Sequence, residues 1–75
     1  MFLHEKLKEC RESLGFSQDD VIIKLANAGC RVSRPTLTRW ETGGSIPDAN
    51  DLVSLGMVFN KPLKYFFAQN NKVSA

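Results

Sequence analysis

Hydrophobic positions recur along this chain in short helical registers, each closed by a capping residue, a glycine or a proline. Leu3, Leu7, Cys10 and Leu14 stand four, three and four apart, which puts them on one helical face, and Gly15 follows as a stop. Ser17 with Asp20 forms a capping-box pattern. The helix it opens carries Val21, Ile22, Leu25 and Ala26 on its apolar side and is expected to end near Gly29. Ser33 is the next N-cap candidate, with Pro35 in the first turn, where a missing N–H costs nothing. Leu37 and Trp40 then face inward together. Thr42-Gly43-Gly44-Ser45 supplies the freedom for a sharp reversal. Pro47-Asp48 opens a fourth helix with Leu52, Val53, Leu55, Gly56 and Phe59 at its apolar positions and Asn60 as a left-handed cap. A last short helix holds Leu63, Phe66 and Phe67.

The pattern predicts an all-α fold of five short helices and no strands. Isolated helices below about 12 residues are marginal in water, so these must pack as one small orthogonal bundle. We place that domain at residues 1–67 and read 68–75 as a polar tail or the start of a linker.

Composition narrows the class. Of 75 residues, 43% are hydrophobic and 24% charged, which fits a globular domain and excludes a disordered one. No apolar run approaches the roughly 20 residues that span a bilayer, and charge appears too early in the chain for a signal peptide. The expected location is the cytoplasm, with no membrane partner. Cys10, Cys30 and His4 lack the spacing of a zinc site, so no metal and no cofactor is expected, and both cysteines read as small reduced thiols. The net charge is only +2, but its distribution is uneven. From Cys30 to Trp40 stand Arg31, Arg34 and Arg39 with no acid among them. The stretch from Glu5 to Asp20 holds five acids against three bases. Such a strip can face phosphates while the remaining surface stays mixed.

The segments Ser17-Gln18-Asp19-Asp20-Val21 and Val32-Ser33-Arg34-Pro35-Thr36-Leu37-Thr38-Arg39-Trp40-Glu41-Thr42-Gly43 resemble the Cro/cI-like (lambda-repressor-like, XRE-type) helix-turn-helix family. The resemblance runs on through Pro47, Leu52, Leu55, Phe59, Leu63 and Phe66-Phe67. It implies a sequence-specific regulator, repressor-like, that binds double-stranded DNA with the helix at about 34–40 in the major groove. Carried over by position, Arg34, Pro35, Thr38 and Arg39 face base edges. Gln18, Ser33, Thr36, Thr42 and the Gly43 amide stand where relatives touch phosphate, and Arg31 joins them on charge. Arg11 and Glu41 match a pair that bridges the first and third helices in many relatives. Three features depart from the family pattern. Six residues separate Leu25 from Val32, more than the short form of the motif holds, so either the second helix is longer or the turn is an open loop. Gly44, Ser45 and Ile46 replace residues that are often basic. Lys61-Pro62 replaces the usual cap of the last helix.

The residues support the same reading on their own. On a helix, positions 34, 35, 38 and 39 share the side opposite Leu37 and Trp40. Arginine donates a fork of two bonds to guanine O6 and N7, and Pro35 and the Thr38 methyl can meet a thymine methyl. One short helix reads few base pairs, so a homodimer on a near-palindromic operator is expected. Tyr65, Phe66 and Phe67 are candidates for its interface, or Phe66 and Phe67 finish the monomer core. An enzyme is not expected, because the chain has no nucleophile–base set and no phosphate-cradling glycine loop, and Gly43-Gly44 is a turn. The rival reading is a protein-interaction module that keeps the fold without binding DNA, favoured by the low net charge, the missing bases at 44–46 and the Phe66-Phe67 pair.

Overall fold

A computed structural model describes residues 1–67, so the tail read at 68–75 lies outside the described residues. Four α-helices follow in order, α1 (His4–Ser13), α2 (Gln18–Asn27), α3 (Arg34–Thr42) and α4 (Ala49–Phe59), and a 3₁₀ turn spans Leu63–Phe66. The fold is all-α. The expected fifth helix is this turn: Pro62 stands at its N-cap position with no side-chain cap bond, and four residues suit 3₁₀ geometry. Among the described residues the single strand-like feature is an antiparallel bridge between Phe2 and Phe67.

Local chemistry sets the helix ends. Ser17 and Asp20 form a complete capping box on α2, and Asp48 and Asp51 form another on α4. Asn60 caps α4 at φ 56°, a left-handed conformation that asparagine tolerates. The stretch after Leu25 resolves as two more helical residues and then an open loop: α2 stops at Asn27, and Gly29 turns the chain at φ 89°. α1 is different, because Leu3 offers no side-chain cap. Its amide donates instead to the Phe66 carbonyl at 2.7 Å, which docks the start of the chain onto the 3₁₀ turn.

The core is centred on Leu7, Val21, Leu25, Leu37, Leu55 and Phe66, all fully buried, with Trp40, Phe2 and Phe59 around them. Phe2 contacts Phe66 and Phe67 with ring centroids 6.4 and 5.8 Å apart. Phe66 therefore finishes the monomer core and is no interface residue, while Tyr65 and Phe67 are half-buried. Several apolar positions depart from the sequence reading. Leu14 is 48% exposed, because α1 ends at Ser13 and Leu14 leaves the helical face as the C-cap. Leu3, also outside the helix, is half-buried. In α4 the inward stripe is Leu52, Leu55 and Phe59, so Val53 falls off it and stays exposed, and Ser54 is buried in its place. Ala26 and Leu63 are exposed too.

The two thiols are buried. Burial, and then a hydrogen bond donated to Asp51 Oδ1 at 3.3 Å, pushes Cys30 up to about 11. Burial raises Cys10 as well. The neutral folded thiol contributes stability below the ordinary thiol range, and that contribution fades as pH climbs toward the folded value. Near pH 8, alkylation of both cysteines is therefore expected to follow the unfolding equilibrium, since the thiolate is the nucleophile. Fast labelling of the native protein would show that a thiol is exposed. Trp40 is 3% exposed, so Trp40→Ala is expected to cost about 3–5 kcal/mol in a denaturant titration. An equally stable variant would mean that the phase assigned to α3 is wrong.

Candidate nucleic-acid interface

Ser33 starts α3 by accepting from the Thr36 amide at 3.4 Å, and its hydroxyl lies 3.0 Å from that of Thr36. Pro35 occupies the first turn. Leu37, Trp40 and Glu41 then point into the core, leaving Arg34, Pro35, Thr38, Arg39 and Thr42 exposed and Thr36 half-buried. The helix ends sharply. Gly43 adopts φ 95°, and the amides of Gly43 and Gly44 both donate to the Arg39 carbonyl, at 3.0 and 2.8 Å. Another α3 carbonyl, that of Trp40, receives His4 Nδ1 at 2.8 Å. A carbonyl can only accept, so Nδ1 carries the proton. The His4 ring thus ties α1 to the end of α3.

Glu41 anchors the site from inside. Its side chain is 3% exposed and accepts from Arg11 Nε at 2.7 Å, Arg11 Nη2 at 3.1 Å and Gln18 Nε2 at 3.3 Å. Arg11 also donates to the Phe16 carbonyl at 3.0 Å. The hydrogen bond to Glu41 raises Arg11 above its ordinary value, so it stays charged at any relevant pH. Gln18, the first residue of α2, donates from the same amide nitrogen to Thr38 Oγ1 at 3.2 Å. Through Glu41, helices α1, α2 and α3 are held in one arrangement.

The exposed side is less open than the sequence implies. The stretch from Cys30 to Trp40 is free of acids along the chain but not in space: Asp19 on α2 accepts from Arg34 Nε at 3.1 Å and from Arg34 Nη2 through both its oxygens. That bond raises Arg34 above its ordinary value. Arg39 meets no acid among the described residues and donates to Thr36 Oγ1 at 3.3 Å. Its stem lies against Gly44, where an added Cβ would come within 3.2 Å of Arg39 Cγ. Arg31 is exposed in the loop before Ser33.

Among the residues expected at phosphate, five are already engaged, Ser33 and Thr36 with each other's hydroxyls. The Gly43 amide is donated to Arg39, Thr42 Oγ1 donates to the Thr38 carbonyl at 2.8 Å, and Gln18 faces Thr38 and Glu41. A hydroxyl has one proton, so Thr42 must release that bond before it can donate elsewhere. Asp19, His4 and Phe2 were missed by sequence reasoning. Their partners lie 15, 36 and more residues away, and no periodicity reports such a pair.

A capped helix held across a second one, with its polar face outward and its apolar face in a small helical bundle, defines the helix-turn-helix class. Residues 7–66 match the helix-turn-helix family model, and the chain belongs to that family, in its Cro/cI-like (XRE) branch of DNA-binding regulators. No curated protein and no solved structure matches the chain. Among the described residues no helix is long and apolar enough to cross a membrane, and no group of histidine, cysteine and acidic residues could hold a metal.

Removing one partner of a buried ion pair leaves the other charge uncompensated. Arg11→Ala is therefore expected to cost about 3–5 kcal/mol. The double replacement Arg11→Met, Glu41→Leu is expected to recover most of that loss, because no stranded carboxylate remains. Equal loss in the single and double variants, measured by urea unfolding, would show that the pair acts through packing alone.

Proposed function

We propose that this chain binds double-stranded DNA sequence-specifically as a transcriptional regulator of repressor type, with α3 in the major groove. The observation that supports this best is the orientation of α3. Leu37, Trp40 and Glu41 are buried, while Arg34, Pro35, Thr38 and Arg39 are all exposed. In this reading Arg34 and Arg39 read guanine edges, and Pro35 and Thr38 offer apolar contact to thymine. Gln18, Arg31, Ser33, Thr36 and Thr42 lie around that face as phosphate contacts, and Gly43, lacking a side chain, lets the backbone approach. The phosphate contacts set register and the base contacts set sequence. Two copies reading half-sites about 34 Å apart would recognise a near-palindrome. Residues 1–67 act as the DNA-binding domain, working in the cytoplasm without cofactor and without catalysis.

A second reading, a protein-interaction module without DNA binding, draws on the Arg34–Asp19 pair and on the uncharged Gly44, Ser45 and Ile46. Salt separates the two, because the logarithm of an affinity carried by phosphate contacts falls linearly with log salt and that of an affinity carried by apolar contacts does not.

Selection of bound duplexes from a random DNA pool tests the proposal. Wild type is expected to enrich a near-palindrome, and the Arg34→Ala, Arg39→Ala double variant to lose that enrichment while melting at nearly the same temperature, since both side chains are exposed. Absence of enrichment by wild type would refute the proposal. A large drop in the melting temperature of the variant would make the two arginines structural.

A further inference from the structure

The contact that the rest of the site does not explain is the one between Arg34 and Asp19. Both side chains are well exposed, at 60% and 62%, so the pair does not hold the fold together. Nor does Asp19 cap its own helix, because the capping box of α2 uses Asp20. Asp19 is nevertheless placed so that its carboxylate meets Arg34, the first residue of α3, across the junction of the two helices. A cation at a helix N-terminus opposes the macrodipole, and an acid beside it offsets that repulsion.

The atoms involved carry more information than the pairing. A guanidinium has five N–H groups. Asp19 takes the edge formed by Nε and Nη2, and the hydrogen bonds of Arg34 fall on those two nitrogens. The end-on edge, formed by Nη1 and the second proton of Nη2, still presents two parallel donors. Two parallel donors are what guanine O6 and N7 accept. A free arginine at the start of a helix samples many rotamers and must lose that freedom on binding, and an arginine held on one edge has already lost much of it. The carboxylate also adds a negative charge near the phosphates, which weakens binding to every sequence alike. An acid that fixes one base reader while lowering general affinity raises discrimination.

We propose that Asp19 is a specificity-determining positioning residue, which holds Arg34 by its side-on edge so that the end-on edge reads a guanine at one position of each half-site. This inference rests on the DNA-binding reading above. Asp19 itself touches no base. Arg39, which no acid holds, tolerates more variation at the base it meets.

The test is a comparison of base preference position by position, with wild type, Asp19→Asn, Arg34→Ala and the double variant competing for duplexes that differ from the selected sequence at one base pair. All four are expected to melt alike. In Asp19→Asn, the guanine preference at the position that Arg34→Ala also flattens should fall by about fivefold or more, the lower end of what a bidentate arginine contact supplies. Other positions should keep their preferences, and binding to random duplex should stay equal or tighten. Adding Asp19→Asn to Arg34→Ala should change nothing further at that position. If Asp19→Asn tightens binding to all duplexes equally and leaves every preference intact, Asp19 is a plain repulsive charge and the inference falls alone. It also falls alone if Asp19→Asn flattens the same position just as much in the Arg34→Ala background. Failure of wild type to distinguish any duplex would sink the DNA-binding reading and this inference together.

Discussion

Glu41 is an ionised side chain placed inside a 75-residue chain, and such a chain has little stability to spare for an uncompensated charge. The position is tenable because Arg11 meets the carboxylate with two nitrogens and Gln18 adds a third donor. Those partners come from α1 and the first turn of α2, while Glu41 belongs to the last turn of α3. Satisfying one carboxylate thus fixes three helices relative to each other, which apolar packing alone, being non-directional, does less sharply. The pair leaves no slack. Gln18 shares the amide that reaches Glu41 with Thr38, so the buried charge and the outer face of α3 are joined by one side chain.

Much of the fold could be read from the sequence because its signals are local. The caps at Ser17, Ser33 and Asp48, the left-handed turns at Gly15, Gly29, Gly43 and Asn60 and the inward phase of Leu37 and Trp40 each depend on residues within one or two turns. Hydrophobic spacing misled where a helix ended sooner than its apolar pattern, as at Leu14, or where two neighbouring hydrophobes competed for one face, as with Leu52 and Val53 in α4. The site was less legible. Which side of α3 is exposed follows from the phase of Leu37 and Trp40, but what covers Arg34 depends on Asp19, across an open loop whose course the spacing left undecided. The Arg11–Glu41 pairing entered the sequence reading through family resemblance, since the two residues stand 30 apart with no local signal.

The start of the chain shows the same limit. Phe2 and His4 precede or open α1 and belong to no apolar stripe, yet Phe2 is 3% exposed and His4 donates to the end of α3. The aromatic contacts of Phe2 with Phe66 and Phe67, and the Leu3 amide on the Phe66 carbonyl, join the first and last described residues. This closure substitutes for the caps that α1 and the 3₁₀ turn both lack. Two elements without side-chain caps are stabilised by contact with each other, where α2, α3 and α4 each carry a cap of their own.

The distribution of charge around α3 bears on how such a face can discriminate. Three arginines stand on or beside the helix, but Asp19 and Asp20 sit in the first turn of α2, and Gly44, Ser45 and Ile46 add no positive charge beyond its end. A surface arranged in this way gains little from phosphate attraction alone. Under the proposed function, its affinity for any one duplex would depend more on contacts that only the right bases complete. Asp20 is already committed, since the Ser17 amide and hydroxyl hold its carboxyl below the usual range. Asp19 is the acid left to act outward. Its one observed partner is the arginine that opens α3, so the effect of that negative charge on DNA would be felt mainly through the orientation of Arg34.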